Sequence, residues 1–366
     1  MKFVRFSPAC LLLAAFAVQA GQPPRYHLTR IEIPGASGVY VADINDAGQA
    51  VGYYIDENFA NQAFLYENGS VTTLPRPAGR DEAMATAINA AGQIVGYAST
   101  YTEDGAEVTA LLWDAAAPAG YVVIGDDPSA KLNPADINDQ GVVAGLASYD
   151  GAFRAFTWTA GGGLVDDGVP PHGDATQAYW SAINNAGVLV GGWNYPLAVA
   201  HATVGQFGVP GIGPIADGVD DVASMAHAVN DAGVAVGEMD VDASGNVVPV
   251  TFSGGVAEPI PGALLGLSSG GAFGINAAGT IVGRAQDFAT MAFKAFVFAD
   301  GAAYDLLAQS DGDAGFAYLL KASAINAQGT IVGVGRVGEI DVGSFVATPL
   351  GDDAIFADGF EAAPAR

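Results

Sequence analysis

The sequence predicts an all-β chain folded as a seven-bladed β-propeller. Three observations lead there: a short motif recurs seven times at a nearly constant interval, the motif has the chemistry of a tight β-hairpin, and each interval has room for four short apolar segments. The closing strand of the ring is expected from the N-terminus, completing the last blade.

The motif is an Asn, two residues, a Gly, two more residues, usually Val, and a second Gly. It reads DINDAGQAVG (43–52), AINAAGQIVG (87–96), DINDQGVVAG (136–145), AINNAGVLVG (182–191), AVNDAGVAVG (228–237), GINAAGTIVG (274–283) and AINAQGTIVG (324–333). Its turn positions are Asn45 and Gly48, Asn89 and Gly92, Asn138 and Gly141, Asn184 and Gly187, Asn230 and Gly233, Asn276 and Gly279, and Asn326 and Gly329. Successive asparagines are 44, 49, 46, 46, 46 and 50 residues apart, a period shared by propellers and helical solenoids. Local chemistry selects the propeller. Asn caps a type I turn through its side chain, and the first Gly takes the left-handed position that follows. The flanks are β-branched, and the second Gly would interrupt a helix, as in Gln93 to Tyr97.

A third apolar segment follows each hairpin, around Phe64, Leu111, Phe156, Thr203, Val250, Phe296 and Phe345. A Gly-containing turn and a fourth segment usually come next, as in Asn68-Gly69 before Ser70 to Leu74. The seventh unit ends soon after its third strand, while residues 26–34 resemble an unattached fourth one. These repeats are similar to the bacterial extracellular repeat family called HAF, named for a His-Ala-Phe motif in the third strand. The resemblance spans roughly residues 26–350. The third-strand motif has become Gln62-Ala63-Phe64, Arg154-Ala155-Phe156, Lys294-Ala295-Phe296 and His201-Ala202-Thr203, while the hairpin motif is intact. The family label implies location and repetition, and brings no reaction or catalytic residues.

Residues 1–20 read as a secretory signal: Lys2 and Arg5 give a positive start, an apolar run follows, and Val18-Gln19-Ala20 offers small residues for cleavage. Residues 21–350 are expected to form the propeller, and 351–366 a flexible tail. The expected location is secreted or extracellular, with possible attachment to the cell surface. The apolar run is too short to span a bilayer, so no membrane span is expected. Cys10 is the only cysteine and lies in that segment, which leaves the mature chain without disulfides. The formal charge is −26, from 13 basic and 39 acidic residues. Such a surface repels phosphate backbones, so no nucleic acid is expected as partner.

In an alternating blade the longer connections gather at the end opposite the Asn-x-x-Gly hairpins, which makes that loop face the expected binding surface. Its candidate ligand-binding residues are Tyr54, Tyr101, Tyr149, Trp180, Trp193 and Tyr195, with Phe59, Phe153 and Tyr179 nearby and acids at Asp56, Glu57, Asp104, Asp150, Asp174, Asp240 and Asp242. Aromatic groups beside acids suit a sugar or a cationic peptide, and equally suit packing between blades with solvated acids.

Chemical motifs are weaker. Residues 266–270 match G-x-S-x-G without a strand-to-helix elbow, and 333–338 match G-x-G-x-x-G without a following helix. His27, His172, His201 and His227 lack metal-ligand spacing, and only Asp43 and Asp136 give the turns a leading acid, too little for a calcium loop. No catalytic residue, metal or cofactor is therefore assigned. The expected role is non-enzymatic binding of an extracellular glycan or protein, by a monomer. The alternative is a polysaccharide-acting enzyme, which would need two carboxylates with raised pKa about 5 to 10 Å apart in a channel-mouth cleft.

Overall fold

The computed structural model describes residues 23–103, 105–125, 130–149, 152–170, 177–194, 200–214, 223–240, 246–254, 256–338 and 341–351. Residues 1–20, expected to be a secretory signal, the tail beyond Gly351, and Asp104, Asp150, His172, Asp174, Tyr195 and Asp242 lie outside these residues. Among the described residues every named element is a strand, and no helix is long and apolar enough to cross a membrane.

Strand β1 (Tyr26–Ile31) opens the chain. The first repeat supplies β2 (Gly38–Ile44), β3 (Ala50–Ile55), β4 (Asn61–Glu67) and β5 (Ser70–Thr73). The second supplies β6 (Glu82–Ile88), β7 (Gln93–Thr102), β8 (Gly105–Asp114) and β9 (Val122–Val123), and the third β10 (Ala130–Ile137), β11 (Val143–Tyr149), β12 (Ala152–Thr159) and β13 (Gly163–Gly168). The fourth gives β14 (Gln177–Ile183), β15 (Val188–Asn194), β16 (His201–Gln206) and β17 (Val209–Pro214), and the fifth β18 (Ser224–Val229), β19 (Ala235–Asp240), β20 (Val247–Ser253) and β21 (Val256–Pro259). The sixth gives β22 (Ser269–Ile275), β23 (Ile281–Asp287), β24 (Ala292–Ala299) and β25 (Ala302–Asp305), and the last β26 (Phe316–Ile325), β27 (Ile331–Val337) and β28 (Asp341–Pro349).

These strands pair into five four-stranded sheets and one eight-stranded sheet. The larger sheet consists of two antiparallel runs, β2 to β5 and β26-β27-β28-β1, joined by a single parallel bridge between Gly38 and Val342. Strand β1 lies antiparallel on β28, from Tyr26 opposite Pro349 to Ile31 opposite Ser344. Tyr26, Leu28 and Ile31 are buried there, so the pairing covers an edge that would otherwise be open. The first strand of each repeat touches those of the repeats before and after it, and β26 touches β2, so the seven encircle a central channel.

Each marker residue has a physical role. Asn45 Oδ1 accepts the N–H groups of Ala47 and Gln49, at 3.1 and 3.0 Å, while Gly48 N–H closes the turn on Asn45 O at 3.1 Å. The first Gly of all seven motifs has φ between +73° and +81°, where a side chain would be strained. The Asn amide group then reaches sideways. Asn45 Nδ2 donates to Asn89 O, Asn89 to Asn138 O, Asn138 to Asn184 O, Asn184 to Asn230 O, Asn230 to Asn276 O, Asn276 to Asn326 O, and Asn326 back to Asn45 O, at 2.8 to 3.2 Å. All seven are buried. Asp would serve the turn as well as Asn, but only Asn carries the donor that the circle needs.

The second Gly answers a bulge. In all seven first strands the register against the second strand slips by one residue, between positions such as Val41 and Asp43 or Trp180 and Ala182. The slip drives the carbonyl five residues before the Asn onto the second Gly, so a Cβ at Gly52 would overlap Tyr40 O and one at Gly237 would overlap Met225 O. The third-strand residue opposite this Gly is often a fully buried Phe: Phe64, Phe156, Phe296 and Phe345. Burying such a ring contributes about 1.5 to 3 kcal/mol. The core is a series of clusters between neighbouring sheets; one joins Val51 and Leu65 of the first repeat to Ile94, Leu111 and Trp113 of the second.

Candidate functional site at the wide end of the channel

The channel has two unlike ends. At the hairpin end the Asn circle surrounds a shallow hollow of about 200 Å³ rimmed by Asp46, Asp139 and Asp231. These acids also link repeats: Ala90 N–H donates to Asp139 Oδ1 at 2.9 Å, Asn185 N–H to Asp231 Oδ1 at 2.8 Å, and Ala327 N–H to Asp46 Oδ1 at 2.8 Å. Further in, Asp43 Oδ2 accepts Ile88 N–H and Asp136 Oδ2 accepts Ile183 N–H, so each staples its sheet to the next. Burial, then the Asp136 charge, pushes Asp43 up to about 7, and burial also raises Asp136. The two leading acids of the repeat thus bind backbone.

The opposite end opens into a cavity of about 650 Å³. The bulge shapes its wall: the residue five before each Asn pairs across the sheet with the residue eight after it, and of these Tyr40, Asn133, Leu146, Tyr179, Lys321 and Val334 line the cavity. The pairs are Tyr40 with Tyr53, Met84 with Tyr97, Asn133 with Leu146, Tyr179 with Gly192, Met225 with Glu238, Gly271 with Arg284, and Lys321 with Val334. The bulged residues, among them Thr86, Ser181, His227, Phe273 and Ser323, line the same space.

One side of this wall is aromatic. Tyr40 and Tyr53 stack at 4.9 Å with their planes 12° apart, and Tyr97 Oη meets Met84 Sδ at 3.1 Å. The ring of Tyr179 occupies the space that a side chain at Gly192 would fill. Burial, with the Glu238 charge adding to it, pushes the Tyr179 hydroxyl up to about 12, so it remains a neutral donor.

The other side carries His227, Phe273 and Lys321 on the cavity wall, with Glu238 and Arg284 packed beside them, all from the fifth, sixth and seventh repeats. Phe273 is its centre: Lys321 Nζ lies 3.9 Å from the ring centroid, Arg284 Cζ 5.5 Å, and the His227 ring 4.8 Å. Glu238 leans into the space left by Gly271, where a Cβ would collide with its carboxylate. His227 Nε2 stands 3.7 Å from Glu238 Oε1, an electrostatic contact too long for a hydrogen bond. Burial opposes ionisation of Glu238, but His227, Arg284 and Lys321 outweigh it and hold the carboxyl below its ordinary range. Burial, then Arg284, brings Lys321 down to about 8 against the pull of Glu238.

The residues expected from sequence are spread more widely. Trp180 is buried, donates from Nε1 to Asp167 Oδ2 at 2.8 Å, and contributes to the cavity wall. Trp193 is buried and stacks on His201 at 5.0 Å, which makes it a packing group instead of a loop group. Tyr54 is half-buried with its Oη 3.0 Å from Thr73 Oγ1, Tyr149 packs beside the core between the second and third repeats, and Tyr101 is exposed at a hairpin tip. Asp56 caps its own loop through Asn58 and Ala60 N–H. These groups do not converge. Ser268 and Ser269 enter strand β22, and 333–337 lie in β27, so neither short motif has its required context. His227, Glu238, Phe273, Arg284 and Lys321 were recognisable only as departures from otherwise small or apolar columns once the repeats are aligned at fixed offsets from the Asn.

No protein-family model matches the chain, and no curated protein matches it. Solved structures do. A puromycin-hydrolysing peptidase of Mycobacterium tuberculosis superposes with a TM-score of 0.54 and 10% identity over 89% of this chain and 56% of that one. YCF48 bound to D1 peptide superposes at 0.53 with 11% identity over 94% and 99%. The β-propeller domain of the Trilobed protease from Pyrococcus furiosus, described as having an open velcro topology, gives 0.50 with 13% identity over 75% and 84%. At such identities the likeness concerns architecture alone, and the architecture of this chain is a β-propeller.

Proposed function

We propose that the chain is an exported recognition propeller of seven blades that takes its ligand in the wide mouth of the channel. The blade count rests on seven first strands in a circle and seven Asn amides bonded head to tail, with β1 completing the blade of β26 to β28. Export rests on the reading of residues 1–20, and kinship with the HAF repeats on the seven hairpin motifs. The observation that carries the binding role is the 650 Å³ cavity whose wall divides into a stacked aromatic side and a charged side.

Recognition is favoured over glycoside cleavage by the state of the carboxylates. An acid catalyst must hold a proton and reach the ligand. Glu238, beside the cavity, is held ionised by its neighbours; among the described residues the carboxyls with raised pKa are Asp43 and Asp136, engaged by backbone N–H groups of the next blade, and Asp167, engaged by the Trp180 and Thr157 side chains. The test is a glycan array probed with residues 21–366, with and without calcium, followed by a turnover assay on each glycan bound. Binding without turnover, weakened at least tenfold by Phe273→Ala and by Tyr40→Ala, is the expected result. Turnover, or binding indifferent to both changes, would refute this reading.

A further inference from the structure

The chain is poor in cations, with 13 Lys and Arg against 39 Asp and Glu, and most described ones with a partner sit at the periphery beside an acid: Arg30 with Glu32, Arg80 with Glu107, Arg154 with Asp166 and Lys294 with Asp305. Arg284 and Lys321 differ. Lys321 lines the cavity and Arg284 lies beside it against the same Phe ring, with Glu238 as the carboxylate acting on Lys321. The side is therefore left with an excess of one positive charge, before any proton on His227. Arg284 Nε is buried and has no hydrogen-bond partner, and neither has His227 Nε2. A buried cation left without a full set of acceptors is costly, and negative charge arriving beside Lys321 would offset that cost.

The charge and the wall narrow the acceptor. One excess positive charge matches a carboxylate better than a phosphate dianion, which would also face Glu238. The rest of the wall offers faces for stacking in Tyr40 and Tyr179, and small hydrogen-bonding groups in Asn133, Ser181 and Ser323. Flat apolar faces beside hydroxyl and amide groups suit a ring that carries hydroxyls. We propose that the cavity binds an acidic saccharide of the hexuronate class, its carboxylate on Lys321 with the Arg284 charge beside it and its ring over the aromatic side. This rests on the recognition role argued above and specifies its ligand.

The experiment is calorimetric titration of residues 21–366 with oligogalacturonate and oligoglucuronate, with their methyl esters, and with the neutral oligosaccharides of the same linkage. The acids should bind at least tenfold more tightly than the esters. Arg284→Gln and Lys321→Met should each weaken the acids more than the esters and so narrow the gap between them at least several-fold, while Glu238→Gln should tighten the acids several-fold. Thermal unfolding of each variant checks folding, and either cation variant alone suffices if the other fails to fold. Acid binding should also weaken as pH rises through about 8, where Lys321 loses its proton amid Glu238, Arg284, His227, Tyr40 and Tyr179. Equal affinity for acids and esters, both lost in Phe273→Ala, would overturn the carboxylate seat and leave the recognition site standing. Binding of short peptides through their C-terminal carboxylate, with no uptake of uronates, would overturn the saccharide. No binding of any saccharide or peptide would sink the recognition reading along with it.

Discussion

The two ends of the channel are built from the same seven strands and follow opposite rules. At the hairpin end each repeat repeats itself: Asn, left-handed Gly and the amide-to-carbonyl link recur in every copy. At the wide end the pairs that bracket the bulge are seven different combinations, from Tyr40 with Tyr53 to Gly271 with Arg284. A position that must hold the ring together tolerates little change. A position that only faces the cavity is open to whatever a ligand demands.

If that contrast is right, substitutions at the two ends differ in kind. The largest effect is expected at the second marker Gly. Gly237→Ala would put a methyl into Met225 O, and should lower unfolding free energy by more than about 3 kcal/mol or prevent folding, as read by denaturant titration. A stable Gly237→Ala protein would break the account of the bulge. Next comes Asn184→Asp, which keeps the turn acceptor but turns an oxygen towards Asn230 O in a buried site. A loss of roughly 2 to 4 kcal/mol is expected, larger at pH 8 than at pH 4, where the carboxyl can be protonated.

A third change should act in the other direction. Asp43 holds its proton to about pH 7 in the folded chain, whereas an unfolded Asp releases it near pH 4, so folding is penalised increasingly as pH rises through that window. Asp43→Asn keeps an acceptor for Ile88 N–H and removes the buried charge. Above pH 7 it should stabilise the protein by about 1 to 3 kcal/mol, and thermal melts at pH 4 should show little difference. A melting temperature that falls at pH 8 would mean the ionised carboxylate is needed. The smallest effect belongs to Tyr101, which is 76% exposed; Tyr101→Ala should change stability by less than about 0.5 kcal/mol and leave channel binding intact.

The same contrast explains what could be read in advance. Repetition made the hairpins visible, since Asn and two glycines at fixed spacing announce a turn before any fold is known. The strand at residues 26–31 was also legible, because its residues are buried and exposed in turn over most of its length, and it pairs with β28. The cavity was hidden by the bulge. Counting by twos from Asp43 leads to Val41, which is buried in the core, whereas the extra residue at Ala42 brings Tyr40 onto that face instead. Trp180 and Trp193 were conspicuous in the sequence because they are large, and for the same reason the core absorbed them. Glu238, Arg284 and Lys321 come from three repeats, at two different offsets from the Asn, and only the closed geometry makes them neighbours.

The asparagine circle has one more property. Every amide donates in the same rotational sense, to the main-chain carbonyl of the next asparagine, so the seven bonds run one way round a closed circuit. Each asparagine donates through its own side chain while its main-chain carbonyl accepts from the preceding one, so each turn is held in place by both of its neighbours. Opening one link should therefore loosen the links on both sides, and solvent exchange of the carboxamide protons should occur at similar rates in all seven, as a property of the whole circuit.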